Sequence, residues 1–164
     1  MPTEKHLETA ADAIELLKQD HAEVDKLFKS FESADPKEKR RIADVVSAML
    51  TVHAEIEEKI FYPAAKKALA EAGADLVEEA LVEHFLVKTL IDKLLNMEVA
   101  DQGFDATFKV LTENVQHHVE EEETELFPKV RRTSLDLRDL GEQLSERKEA
   151  LYTKLQAASA HAPA

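Results

Sequence analysis

The sequence predicts an all-α fold, an up-down-up-down four-helix bundle with an additional C-terminal helix. Only 3 glycines and 5 prolines occur among the 164 residues, so few positions interrupt the chain. Between them, apolar residues recur three, four and seven positions apart, which is the spacing of one face of a helix, and no stretch alternates as a strand does. The interruptions leave short connections, and short connections place consecutive helices antiparallel.

A proline separates the first two predicted helices. The first extends from about residue 12 to residue 33, and its buried face is expected to contain Ile14, Leu17, Val24, Phe28 and Phe31. Asp35-Pro36 ends it and starts the second, because proline needs no N–H in the first turn of a helix. The second helix is expected to continue to about Ala72 and to end at Gly73.

Three more helices follow. The third is predicted over about 75–100, with its end near Gly103, and the fourth over about 104–132. Ser134 can cap a fifth, over about 135–158. The leucines of this last helix would pack outside the bundle or contact another chain.

Length and composition favour a single domain with its own apolar core. We expect one domain over 1–164, with the bundle core at about 12–132, the C-terminal helix at about 134–158 and a frayed tail at 159–164.

Charge and composition exclude several classes of protein. The formal net charge is −13 and no cluster of Lys and Arg opposes it, so nucleic acid is not an expected partner. No apolar run approaches the roughly 20 residues that cross a bilayer, and the first residues lack the pattern of a signal peptide. The absence of cysteine excludes disulfides and iron–sulfur clusters. These features predict a cytoplasmic protein without a membrane partner, a monomer or weak homo-oligomer.

The chain contains an internal repeat. A histidine followed by a glutamate four residues later and a proline ten residues later occurs twice, as His53, Glu57, Pro63 and as His118, Glu122, Pro128. Upstream of each copy lies an acid followed by a histidine, Asp20-His21 and Glu83-His84. The repeat predicts two helical hairpins related by a pseudo-twofold axis, with each proline kinking its helix beyond the glutamate.

The repeated histidines all lie on apolar helix faces. Apolar residues occupy the positions three, four or seven residues away from His21, His53, His84 and His118. Glu57 and Glu122 share the faces of the histidines that precede them. One histidine on such a face is more often a hydrogen-bonded core residue, but four imidazoles and two carboxylates in one core need a common partner. A pair of cations supplies it, and the ligand set suits several transition metals.

Neighbouring residues leave alternatives open. Both glutamates sit in acidic runs, and helical phase selects them over Glu55, Glu58, Glu121 and Glu123, although Glu58 or Glu123 could replace or assist its neighbour. His117 is expected at the surface or beside the site, and His6 and His161 in solvent. Tyr62 is placed either at the mouth of the site or in packing. The expected aromatic core residues are Phe28, Phe61, Phe85 and Phe127.

The order of these pieces resembles hemerythrin-like proteins with the His–His–Glu (HHE) cation-binding domain. The matching pieces are Asp20-His21, His53-x-x-x-Glu57 with Phe61-Tyr62-Pro63, Glu83-His84, and His118-x-x-x-Glu122 with Phe127-Pro128. The resemblance covers about residues 12–132 and implies a four-helix bundle that holds two non-haem iron ions, which an oxo or hydroxo group can bridge. Iron is implied by the resemblance alone, since the residues would also suit zinc or manganese.

The chain differs from the oxygen-carrying members of that family. Those members have a second histidine one turn before the third-helix histidine, where this chain has Ala80. Their fourth-helix acid follows its histidine by five residues, whereas Glu122 follows His118 by four. The resemblance thus implies two histidines per metal, His21 with His53 and His84 with His118, bridged by the two glutamates. Open metal positions favour reactivity over reversible oxygen carriage.

Three functions follow as hypotheses. The first is binding of, or reaction with, a small oxidant or gas: dioxygen, peroxide or nitric oxide. The second is iron sensing, storage or donation without redox catalysis. The third is an interaction module in which the metal holds the fold together. The residues do not by themselves indicate whether the protein is an enzyme.

Overall fold

The fold is all-helical in the part of the chain that the computed structural model describes, residues 11–160, as the sequence predicted. The helices are α1 (Ala13–Phe31), α2 (Pro36–Ile56), α3 (Tyr62–Leu69), α4 (Glu71–Leu95), α5 (Phe104–Glu121), α6 (Phe127–Arg131) and α7 (Leu137–Ala160), with π-helical turns at Glu57–Phe61 and Glu122–Leu126. Residues 161–164 of the predicted tail, together with His6 and His161, lie outside the described residues.

The helices pack into a bundle around a core in two apolar clusters. Helix α1 packs on α2, α4 packs on α5, and α2 contacts α4. One cluster includes Leu17, Ile56 and Phe127, and the other includes Val24 and Leu50. A layer of buried histidines and carboxylates, from α1, α2, α4, α5 and the two π turns, lies between the two clusters, so the polar site is enclosed by apolar packing on both sides. The up-down-up-down order of the helices stays a prediction from the short connections.

Side-chain caps fix the starts of the first two helices. Asp12 accepts a hydrogen bond from the Glu15 N–H at 2.9 Å, and Glu15 accepts one from the Asp12 N–H. Asp35 accepts from the Glu38 N–H at 2.8 Å, with Pro36 in the first turn as expected. Each cap pairs a backbone donor that the helix itself leaves free.

The end of the second helical segment differs from the prediction. The break falls at Ala70, whose φ is 49°, and α4 then begins at Glu71 rather than near residue 75. Gly73 lies inside α4 and is buried. A Cβ on Gly73 would lie 2.4 Å from the Leu69 side chain, so this glycine permits close packing between α3 and α4 and does not end a helix.

The two prolines are accommodated by π turns. The Tyr62 N–H donates to the Glu57 carbonyl, and the Phe127 N–H donates to the Glu122 carbonyl, each across five residues. Pro63 and Pro128 then lie in the first turn of the following helix, where a proline is tolerated. The predicted interruption after each glutamate therefore takes the form of a widened turn.

Helix α7 packs against α1 and α2 of the same chain. It starts at Leu137, and Asp136, rather than Ser134, accepts the hydrogen bond from the N–H of Asp139. Lys148 of α7 contacts the Asp20 carboxylate. The C-terminal helix thus covers one side of the bundle and reaches the polar layer. None of the helices in residues 11–160 is both long and apolar enough to cross a membrane.

Replacing Gly141 with alanine should destabilise the protein. A Cβ there would lie 2.6 Å from the Ala11 carbonyl oxygen and 2.9 Å from the Ala13 N, so α7 would have to move away from the start of α1. Overpacking of this kind costs about 1–3 kcal/mol, whereas alanine in an unobstructed helix would stabilise by about 1 kcal/mol. Urea unfolding measures the difference. Ser145→Ala, one turn on and exposed, is the control; a Gly141→Ala protein as stable as the parent would contradict the close approach.

Candidate metal centre

The structure brings the six predicted residues into one buried layer. Four histidines come from four helices: His21 from α1, His53 from α2, His84 from α4 and His118 from α5. Their exposed fractions are 9%, 7%, 4% and 5% in that order. The two carboxylates are the first residues of the π turns, and Glu57 is 0% and Glu122 3% exposed. Residues far apart in the sequence therefore meet because each lies on the inward face of its helix.

The Nε2 atoms of the histidines face one another in pairs. Nε2 of His21 lies 3.1 Å from Nε2 of His53, and Nε2 of His84 lies 3.2 Å from that of His118. Each pair joins the two histidines of one repeat. In a neutral imidazole whose proton is on Nδ1, Nε2 carries a lone pair, so each pair of Nε2 atoms could bind a cation once deprotonated.

Each carboxylate lies between the two halves of the chain. Glu57 Oε1 is 2.8 Å from Nε2 of His53 and 3.3 Å from Nε2 of His84. Glu122 Oε1 lies 3.3 Å from Nε2 of His21, and Glu122 Oε2 lies 3.3 Å from Nε2 of His118. Carboxylates in these positions can bridge two cations.

Two triads of candidate ligands result. His21, His53 and Glu122 form one, and Glu57, His84 and His118 form the other; in each, the ligand atoms lie within 4.8 Å of one another. Each triad combines two histidines of one repeat with the carboxylate of the other repeat.

The outer nitrogen of every histidine faces a carboxylate. Nδ1 of His53 lies 2.9 Å from Asp20, and Nδ1 of His118 lies 2.9 Å from Glu83. Nδ1 of His21 lies 3.0 Å from Glu123, and Nδ1 of His84 lies 3.4 Å from Glu58. Such partners fix the ring orientation and direct Nε2 inward.

The two glutamates that the sequence left as alternatives thus contact the outer side of the histidines. Glu58 also forms an ion pair with Lys88 at 2.6 Å. The contact with His84, opposed by partial burial, and the contact with Lys88 lower the pKa of Glu58 to about 2. Glu58 is therefore a carboxylate at neutral pH, held beside the site by two partners.

Charge pairing outweighs burial in this layer. Burial alone would lower the pKa of His53, but the charge of Glu57 and the hydrogen bond with Asp20 raise it to about 10. Burial likewise would raise the pKa of Glu122, yet the charge and hydrogen bond of His118 hold it well below its usual range. Without a cation, the raised pKa of His53 favours a proton on its imidazole, which balances the negative charge of the buried carboxylates.

The hydrogen bonding of the carboxylates is incomplete. Neither oxygen of Glu57 receives a well-aligned hydrogen bond from the described residues, although Oε1 is close to His53. Glu122 Oε1 is also without one. Buried carboxylate oxygens without donors are costly, and a bound cation removes that cost. The residues present therefore fit a metal centre.

Tyr62 belongs to the site as well. Its hydroxyl donates to Glu122 Oε2 at 2.6 Å and lies 3.2 Å from Nε2 of His84. In an α-helix a residue five positions after Glu57 would point about 140° away from it; the π turn places Tyr62 over the site instead. The equivalent residue in the second repeat is Phe127, whose ring stacks on that of His21 at 6.1 Å. Of the two positions that the sequence left open for Tyr62, the structure places it at the site.

A small apolar chamber borders the centre. Its volume is about 30 Å³, and it is lined by all four histidines together with Val24, Leu50, Ala54, Val87, Val115, Val119 and Asp20. A space of this size holds a diatomic molecule or one or two waters. Of the remaining predicted residues, His117 is exposed, and Phe85 is 67% exposed, so its predicted core position was wrong. Phe85 follows His84 directly and is therefore rotated about 100° away from the inward face.

Comparison with known proteins gives a consistent picture. A family model described as Hemerythrin HHE cation binding domain matches residues 12–130. The crystal structure of a hemerythrin HHE cation binding domain-containing protein from Mycobacterium kansasii superposes with a TM-score of 0.75 and 26% identity, covering 88% of this chain and 89% of that one.

Two curated relatives share part of the sequence. An uncharacterized hemerythrin-like protein of Schizosaccharomyces pombe is 34% identical over 79 residues, which is 48% of this chain and 39% of that protein. A protein of Nostoc sp. named DNA nickase is 27% identical over 118 residues, which is 71% of this chain and 33% of that protein. The matched segments therefore span between one third and two fifths of these relatives.

Proposed function

Because this chain belongs to the hemerythrin family of HHE cation-binding domains, we propose that its buried centre holds two non-haem iron ions and binds or reacts with dioxygen, peroxide or nitric oxide. The proposed ligands are His21, His53, Glu57, His84, His118 and Glu122. Iron bound there would supply electrons and open coordination positions for the small molecule. The choice of iron follows from the family resemblance.

The apolar chamber carries the proposal of a small ligand. It touches all four imidazoles, and its other walls are mostly valine and leucine side chains. An apolar chamber of about 30 Å³ excludes larger polar substrates and admits a diatomic gas or peroxide. Ala80 and the two-histidine triads leave metal positions unfilled by protein, which supports reaction at the centre.

The surrounding residues would orient the ligands and hold protons. Hydrogen-bonded outer carboxylates keep Nε2 of His21, His53 and His118 directed inward, and Glu58 lies 3.4 Å from Nδ1 of His84. Tyr62 presents a hydroxyl proton to Glu122 beside Nε2 of His84. Burial, together with the charge of Glu122, raises the pKa of Tyr62 well above its usual value, so the hydroxyl keeps its proton at neutral pH in the metal-free protein.

Metal analysis followed by spectroscopy tests the proposal. Protein loaded anaerobically with ferrous iron should contain two ions per chain, and mixing with dioxygen, peroxide or nitric oxide should change its absorption spectrum. A fully loaded, reduced protein whose spectrum is unchanged by all three would contradict the proposed function.

Filling the chamber should slow the reaction without removing iron. Val115→Leu adds one methylene group, which takes up most of a 30 Å³ space. We expect two irons per chain as before, but a slower spectral change with the small molecule. Val46→Leu makes the same change in the same apolar cluster away from the chamber, and should react at the parent rate. Equal reaction rates for the two variants would show that the small molecule does not reach the centre through the chamber.

Iron sensing, storage or donation without redox catalysis is the second candidate. The formal net charge of −13 and the half-buried carboxylates of Glu58 and Glu123 beside the centre favour an exchangeable cation. Prolonged dialysis against a chelator separates the two candidates. Ready release of iron to the chelator would support iron sensing, storage or donation, and iron that stays bound would argue against it.

The name of the Nostoc relative does not transfer to this chain. Nicking of DNA is attributed to a protein of which only 33% is matched here, and the charge of −13 opposes a phosphate backbone. We propose a partner of small-molecule size instead, together with a cytoplasmic location and a monomeric or weakly oligomeric state.

A further inference from the structure

The two halves of the bundle differ on the outer side of the centre. Asp20, behind His53, contacts Lys148 of α7. Its counterpart Glu83, behind His118, has one oxygen 2.9 Å from Nδ1 of His118, and its other oxygen lies 3.6 Å from Nε2 of the exposed His117. Helix α7 therefore closes the first half and leaves the second half open.

The repeat shows that different residues occupy the open half. His118 follows His53 by 65 positions, so His117 corresponds to Val52 and Glu121 corresponds to Ile56. Val52 is 3% exposed and Ile56 is buried completely. Where the first half has apolar residues, the second half presents an imidazole and a carboxylate to solvent.

These residues converge on one point. Nε2 of His117 lies 3.1 Å from Glu121 Oε1. Candidate ligand atoms of Glu83, His117 and Glu121 lie within 4.8 Å of one another. Among the described residues, the ion-pair partners of Glu83 and Glu121 are only histidines, with no lysine or arginine. One imidazole with two carboxylates is a ligand set for a divalent first-row cation.

A small cavity lies between this cluster and the centre. A cavity of about 10 Å³ is lined by Glu83, Glu121 and Ala80 on one side and by His118 and Glu122 on the other. Glu122 is 3% exposed, and its Oε2 lies 3.3 Å from Nε2 of His118, the other residue of the centre that lines the cavity. The cavity is about the size of one water or cation, and the small side chain of Ala80 leaves it open.

We propose that Glu83, His117 and Glu121 form an outer divalent-cation site that captures ferrous iron and passes it through this cavity to the buried centre. The role as a delivery site rests on the proposed function; the binding of a cation at the cluster does not. Glu83 contacts both His117 and His118, so it is the residue shared by the outer site and the centre.

Loading kinetics test the delivery role. Metal-free protein is mixed anaerobically with ferrous iron below saturation, and the filling of the centre is followed by absorption after mixing with nitric oxide or dioxygen. We expect the His117→Ala/Glu121→Gln double variant to load at least about tenfold more slowly, because a local acidic site raises cation capture rates by that order or more. The final iron content should stay at two ions per chain. Glu120→Gln makes the same charge change next to Glu121 and should load at the parent rate.

A second measurement isolates the outer site from the centre. In a Glu57→Gln/Glu122→Gln background, titration with Mn²⁺ or Zn²⁺ should still show one cation bound per chain, and adding His117→Ala/Glu121→Gln should remove it. If adding His117→Ala/Glu121→Gln leaves the number of bound cations unchanged in this background, the outer site is overturned, even if the centre of the parent protein binds iron. A bound outer cation together with parent-rate loading in the double variant would overturn only the delivery role.

Discussion

Glu57→Gln should lose cation binding at the centre while keeping the fold. Glu57 is 0% exposed and lies 2.8 Å from His53 and 3.3 Å from His84 through one oxygen. Glutamine has the same shape but no charge, so it cannot balance two cations in a buried site. Loss of a partner that only orients a ligand costs about 10–100-fold in metal affinity, and loss of a ligand should cost more. Metal content after dialysis and a titration with ferrous iron measure the change.

Glu55→Gln is the matched control for this variant. Glu55 lies two residues earlier in the same acidic run and points outward, where it contacts Arg147. It should leave metal content unchanged. Circular dichroism should show the same helix content for both variants. Metal content at the parent level in the Glu57→Gln protein would mean that Glu57 does not bind the cation.

The metal-free protein should lose stability as pH rises above neutrality. His53 has an unfolded pKa near 6.5 and a folded pKa of about 10, because Glu57 and Asp20 outweigh the effect of burial. Between these values the folded state binds one more proton than the unfolded state. The free energy of unfolding therefore falls with pH, by about 1.4 kcal/mol per pH unit for one proton.

Other groups in the layer act on the same curve. The pKa values of His84 and His118 are raised as well, against the effect of burial, mainly by Glu57 and Glu122 respectively. These two histidines therefore add to the decrease in the free energy of unfolding above pH 6.5. The pKa of Glu57 is lowered by His53 despite burial and the charge of Glu122, so its contribution is lost as pH falls below about 4.5. Maximum stability of the metal-free protein is expected between these limits.

Urea unfolding of chelator-treated protein at several pH values between 6 and 9 checks this expectation. Asp20→Asn, which removes one partner of His53, should reduce the slope. Iron-loaded protein should behave oppositely, because metal binding requires neutral imidazoles and its affinity rises with pH. A metal-free protein whose stability is constant or increases over this range would show that the imidazoles are not protonated in the folded state.

Much of the site could be predicted because the regular spacing of residues along one helix shows which of them share its buried face. His21, His53, His84 and His118 each sit among apolar residues at helical offsets, and each is buried in the structure. The same argument separated the buried acids Glu57 and Glu122 from their half-buried neighbours. That these residues bind metal stays a proposal, whereas their convergence is a feature of the fold.

Regular α-helical spacing predicted the wrong buried positions where a π turn interrupts the helix. Regular spacing from His53 places Ile60 on the buried face, but Phe61 and Tyr62 are buried and Ile60 is only half-buried. The π turn adds one residue at Glu57–Phe61 and shifts every later position. Proline predicted an interruption but not its form, so the contact between Tyr62 and Glu122 could not be derived.

The position of the last helix required tertiary information. Its leucine pattern was compatible with packing in the same chain or against another chain. The choice depends on the approach of Gly141 to the start of α1 and on Lys148 meeting Asp20, and both pair residues more than 120 positions apart. Similarly, Gly73 resembled a helix terminator, but its neighbour Leu69 shows that it serves packing.

The exchange of carboxylates between the repeats has a consequence for the integrity of the chain. Each triad takes its histidines from one hairpin and its glutamate from the other, so neither hairpin alone contains a complete triad among the described residues. A cation at either position would thus act as a cross-link between the two hairpins, and each triad has ligands on both sides of the connection at residues 96–103. Cutting the backbone within that connection would leave two fragments that metal could still hold together, and the loaded protein would tolerate a break that the metal-free protein would not.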